Sequence, residues 1–217
     1  GIDRSRVYAG VLLVSCGILA FEAALTRVFS LILWYHYSFM VVGVAMLGMG
    51  VAGSLAYTIP KLKDIGNLGV YTLLLSVSIA TGIHLLGFLS LDPYQLGWDT
   101  RQVLTLTGYY VLTGMPLLLY GLIMVSALNT GVLDTNVVYG CSFLGAGLGC
   151  IVTLLAFSYL SLNGVLTLVC LTTLASTLLF HSKRWCKTVA WTLIPLLLLN
   201  PWVFDVKPNP YKALSRL

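Results

Sequence analysis

Glu22 and Arg27 have the clearest capacity for chemistry in this chain, because both stand within a long apolar run that starts at Val7. An unpaired charge at membrane depth costs at least about 2 to 3 kcal/mol, so an ionisable residue held there has a partner or a task. The two lie five positions apart, whereas side chains stack on a helix at spacings of three or four. Arg27 therefore has to reach back toward Glu22 or extend to the interface. Two readings follow: the pair locks a helical bundle, or the carboxyl binds a ligand or a proton.

Histidines come next. His36 sits between Tyr35 and Tyr37 after Trp34, the pattern of an interfacial aromatic belt. His84 lies in an apolar stretch ahead of Leu85 and Leu86. A histidine there can ligate haem or chlorophyll or contact a quinone, or it can stay neutral and hydrogen-bonded to a neighbouring helix; no cofactor is predicted. The cysteines, Cys16, Cys141, Cys150, Cys170 and Cys186, form no C-x-x-C pair, and four of them read as small packing residues, with neither a metal site nor a disulfide framework. Asp99 and Arg101, beside Trp98, gate an entrance or are simply solvated. Nucleophile, base and oxyanion donors do not assemble from these residues, so no catalytic residue is assigned.

The elements that must position these groups are membrane spans. Of 217 residues, 59% are hydrophobic and 9% charged, against roughly a quarter charged in a soluble domain. The apolar residues fall in blocks of a length that crosses a hydrocarbon core of about 30 Å at 1.5 Å per residue. The blocks predict an all-α, polytopic transmembrane bundle of about seven spans (six to eight): 7–33, 38–59, 68–91, 104–128, 137–159, 165–180 and 189–204. The last is short and carries Pro195 and Pro201, which predicts a kink or an interfacial position. Residues 205–217 form a short tail. The connections are too short for a soluble module, so one membrane domain is expected. The chain opens on Gly1 without a Met and is expected to be trimmed at its start.

If the spans alternate, Arg4, Arg6, Lys61, Lys63, Lys183, Arg184 and Lys187 share one side, while Arg27, Arg101, Lys207, Lys212 and Arg216 share the other. That bias predicts a cytoplasmic N-terminus, in a bacterial inner membrane. The net charge of +5 is scattered over membrane-flanking loops, which excludes a nucleic-acid partner and fits anionic lipid headgroups. Small residues predict where helices touch. Cys141, Gly145 and Gly149 recur at every fourth position, and Gly43, Gly48, Gly50 and Gly53 line the second block. Such ridges let backbones approach closely, so these two helices are expected at the centre of the bundle, with Gly48, Gly53, Gly145 and Gly149 as packing contacts.

Several segments together resemble the membrane part of the integral-membrane spermidine synthase-like proteins. The run Ser15-Cys16-Gly17 to Phe21-Glu22, followed by Thr26-Arg27-Val28-Phe29-Ser30, is similar to that family's opening helix. Met115-Pro116-Leu117-Leu118-Leu119-Tyr120-Gly121 and the Gly-rich second helix fit the same pattern. Tyr139-Gly140-Cys141-Ser142-Phe143-Leu144-Gly145-Ala146-Gly147-Leu148-Gly149 looks like its Tyr-x-x-Asn-x-x-Gly-Ala-x-x-Gly helix, and Asn209-Pro210-Tyr211-Lys212 is similar to the lead-in to its synthase domain. Leu25 stands where the family commonly has Trp, and Ser142 where it has Asn. The resemblance implies an anchoring or scaffolding membrane module that binds a small amine or lipophilic molecule, with Glu22 as the cation partner. Any aminopropyltransferase chemistry would belong to a further C-terminal domain, since no nucleotide-type Gly-rich loop stands here.

Two alternatives remain open: an accessory subunit of a larger respiratory or photosynthetic membrane complex, and a small-molecule transporter. The transporter predicts an inverted repeat, of which the sequence gives no sign, although Gly114-Met115-Pro116 can break the fourth helix. Seven spans with a cytoplasmic start would also put Tyr211 outside, in conflict with a cytosolic synthase domain.

Overall fold

The computed structural model describes residues 3–32, 39–87, 89, 98–129, 131–180 and 184–199. His36 and its aromatic neighbours, the end of the seventh block and the 205–217 tail lie outside these residues. Seven helices follow in order: α1 (Arg4–Ile32), α2 (Met40–Thr58), α3 (Leu68–Leu86), α4 (Thr100–Leu128), α5 (Thr135–Tyr159), α6 (Leu162–Leu179) and α7 (Arg184–Leu199), with two 3-10 turns between α2 and α3. No strand occurs among the described residues. This is the helical answer to an apolar medium, where each backbone N–H and C=O has to be satisfied within its own segment.

Six of the helices, α1 to α6, are long and apolar enough to cross a membrane. The seventh has 16 residues, or about 24 Å at 1.5 Å per residue, shorter than a hydrocarbon core of about 30 Å. It begins five residues before the apolar block does. The reason is amphipathic: Cys186 and Ala190 are fully buried while Trp185 and Trp191 are exposed, so a packed face extends through the basic stretch.

Helix starts follow local chemistry. Asp99, Asp134 and Ser161 each accept a hydrogen bond from a backbone N–H in the first turn of α4, α5 and α6, filling donors that no intrahelical carbonyl can reach. Asp99 thereby draws the start of α4 four residues ahead of its apolar block. The link from α4 to α5 turns at Gly131, whose φ of 61° is a left-handed conformation that glycine adopts without strain.

The interior consists of α1, α3, α4 and α6. Along the apolar stretch of α1, 56% of residues are buried, against 33% in α2 and 17% in α5. The expectation that α2 and α5 lie at the centre is therefore corrected: α5 lies along α1 and α2 along α4, as the two flanks. The error has a physical origin. A small-residue ridge reports how near one neighbour comes, not how many neighbours there are.

At the α1–α5 contact, a Cβ on Gly145 or Gly149 would collide with the carbonyl oxygen of Leu12 or Cys16. Gly48 meets the backbone of Leu117 and Leu118 in the same way, and Gly121 sits on Ala52 and Met49. Gly53 does not belong to this set; with Gly43 and Gly50 it faces open space, because α4 touches only the other side of α2. Gly82 of α3 lies against the Leu112 carbonyl, the one that Pro116 leaves without its helical donor.

These contacts predict that Gly149→Ala destabilises the solubilised protein by about 2 kcal/mol, the usual cost of overpacking a tight contact, while Gly147→Ala, which meets nothing, changes stability by less than about 0.5 kcal/mol. Thermal unfolding in detergent of both variants checks the contrast, and equal effects would remove the close-approach account.

Candidate functional site

One face of α1 carries Ser15, Glu22 and Phe29, which are seven residues apart and so nearly in line along a helix. Ser15 Oγ lies 3.0 Å from the Tyr120 hydroxyl of α4 and donates to Ser142 Oγ of α5 at 3.2 Å. Tyr120 and Ser142 are 3.1 Å apart. Each hydroxyl holds one proton, and that of Ser15 goes to Ser142. Three bonds are then made only if Tyr120 donates to Ser15 and Ser142 to Tyr120, which closes a ring in one rotational sense. The ring ties three helices together. A second polar link, Ser76 Oγ donating to Thr173 Oγ1 at 2.8 Å, joins α3 to α6.

At the far end of the same face, Phe29 packs edge-on against Tyr109 with ring centroids 6.1 Å apart, and the Tyr109 hydroxyl donates to the Leu89 carbonyl. Glu22 lies between these two anchor points, level with the Gly114-Met115-Pro116 stretch of the antiparallel α4. With α1 centred on the bilayer, Glu22 stands about 6 Å beyond the midpoint of the helix and Arg27 about 14 Å beyond it, against a half-thickness of about 15 Å. The carboxyl is thus at hydrocarbon depth and the guanidinium close to the interface.

The structure does not bring Glu22 and Arg27 together. Arg27 is exposed, and its guanidinium lies 5.1 Å from the ring centroid of Phe157 on α5, a cation–π contact. Glu22 is half-buried and makes neither an ion pair nor a hydrogen bond among the described residues. His84 is placed differently from its expected depth. It is exposed in the last turn of α3, where its imidazole lies beside the negative end of the helix dipole. Among the described residues no three His, Cys, Asp or Glu side chains gather as a metal site.

The hydroxyl ring escaped sequence reasoning. Serine and tyrosine carry no depth penalty that singles them out, and their three positions, 15, 120 and 142, are far apart in the chain. The fold and this face define a polytopic, all-α helical membrane protein. No family model, no curated protein and no solved structure matches the chain significantly.

Tyr120→Phe should lower stability by about 1 kcal/mol, in line with measured interhelical hydrogen bonds in membranes of about 0.6 to 2 kcal/mol. Adding Ser142→Ala to it should cost less than the sum of the two single changes, since the ring is already open. Unfolding of the three variants in mixed micelles measures this, and strict additivity would count against a cooperative ring.

Proposed function

We propose that this chain is the membrane-embedded module of a spermidine synthase-like protein, an anchor and scaffold that takes a small amine at Glu22. The observation that carries the reading is a half-buried carboxyl at hydrocarbon depth with no partner among the described residues, since in its charged form such a group is expensive unless it meets a cation. The family-like segments support the same reading. Ser142, where that family has Asn, still bridges two helices through its hydroxyl.

The orientation belongs to the same proposal. Arg4, Arg6, Lys61, Lys63 and Lys187 lie at the end of the bundle where α1 starts, and Arg27 and Arg101 at the other, which supports a cytoplasmic N-terminus in a bacterial inner membrane. Six crossings bring the end of α6 back to that side, where Phe180 packs on Gly10. An even count removes the conflict with a cytosolic domain.

A specific observation favours a second reading, an accessory subunit of a larger membrane complex. Gly43, Gly50 and Gly53 of α2 and Gly140 and Gly147 of α5 meet no atom within 4 Å, and glycine on an outer membrane face is what a further helix needs for close docking.

Equilibrium binding of labelled spermidine to the protein in nanodiscs tests the first reading. Glu22→Gln should weaken binding by tenfold or more, the loss of a charge-assisted contact of about 1.5 to 3 kcal/mol, and Arg27→Gln should leave it within about twofold. Wild-type protein that takes up no amine, and that instead purifies in mild detergent with other subunits in fixed ratio, would support the second reading over the first.

A further inference from the structure

The basic end of the bundle contains a cavity that the amine reading does not use. It opens where α1 starts, α6 ends and α7 starts, and it is lined by Asp3, Arg6, Val7, Leu179, Phe180 and Lys187. We infer that this cavity is a binding site for the phosphate of an anionic lipid headgroup.

Its floor is apolar and built to fit. Phe180 is fully buried and Val7 nearly so, and the Phe180 ring occupies space that a Cβ on Gly10 would invade. Its rim is cationic. Arg6 uses Nε for Asp3, at 3.0 Å, so the four N–H donors of its two terminal nitrogens remain for an anion. Lys187 is half-buried and has no ion-pair or hydrogen-bond partner among the described residues. Two cations against one carboxylate leave the rim positive.

Size and place select the ligand. The volume is about 30 Å³, and each water-sized group needs about 10 to 15 Å³ on this measure. Two oxygens fit within it. Two non-bridging oxygens are what a phosphodiester presents, and a basic pocket between transmembrane helices at their cytoplasmic ends is the setting in which lipid phosphates are held. The site lies at the helix ends, level with the headgroups of lipids whose acyl chains run down the bundle. A lipid there would also fasten the short α7 to the six longer helices, because Lys187 and Arg6 belong to α7 and α1.

Native mass spectrometry of the full chain in zwitterionic detergent, titrated with phosphatidylglycerol or phosphatidylcholine, tests the site. Wild type should retain phosphatidylglycerol in preference to phosphatidylcholine. The Arg6→Gln/Lys187→Gln double variant should lose roughly tenfold or more of that affinity, and the Lys61→Gln/Lys63→Gln double variant, with the same change of charge, less than about twofold. Should the first double variant lose its helical circular dichroism, the single changes serve, each weakening retention severalfold. Equal loss in both double variants, equal retention of phosphatidylcholine, or displacement of the lipid by millimolar inorganic phosphate would overturn the assignment, the last by making a soluble anion the ligand.

Discussion

Hydrocarbon supplies no hydrophobic force between apolar helices, so this bundle depends on how closely its backbones can approach. The contact of α1 with α5 is the limiting case, where Gly145 and Gly149 leave no room for even a methyl group against the carbonyls of Leu12 and Cys16. Dispersion and Cα–H···O contacts are individually small and act only at that range. The same rule governs Gly48 and Gly121 between α2 and α4, and Gly82 between α3 and α4. Each glycine is specific to one partner, which explains how flanking helices can be tightly held and still be largely exposed.

Close approach fixes distance, but it says little about rotation. Rotation is set by the few hydroxyls that find one another across helices. Ser15, Tyr120 and Ser142 bind α1, α4 and α5 at one level, and Ser76 with Thr173 does so for α3 and α6. Most other hydroxyls in the helices return to a carbonyl three or four residues back, as Thr72, Thr113 and Thr153 do, and leave the interfaces free. The hydroxyl ring and the Phe29–Tyr109 contact fix α1 on either side of Glu22, which stays separated from Arg27. The function proposed for Glu22 therefore rests on interactions that involve no charge.

The ends of the molecule follow a different logic. On the basic side α5 starts from its Asp134 cap, and Arg4, Arg6, Lys61, Lys63 and Lys187 stand around the helix ends, where water and headgroups replace lipid tails. The seventh helix belongs to this region as much as to the core, since it packs through one face, with Cys186, Ala190, Leu193 and Ile194 against the core, and Pro195 interrupts its hydrogen bonding.

The sequence by itself determined the class of structure. Blocks of apolar residues too long for anything but membrane crossing, with 9% charge, leave helices as the only way to satisfy the backbone, and the bounds of α2 and α5 were legible to within two residues for that reason. It also marked Gly48, Gly145 and Gly149, because small residues at fourfold spacing have few other uses. Which neighbour each ridge meets was decided by the tertiary structure alone, and so Gly53 faces outward and α2 and α5 became flanks. The same holds for the candidate site. Sequence pointed to Glu22 and Arg27 through the cost of burying charge, but whether they pair depends on helix rotation and on a phenylalanine 130 residues away from Arg27. Contacts between residues distant in the chain leave no local trace in its pattern, and the hydroxyl ring and the basic cavity are made of such contacts.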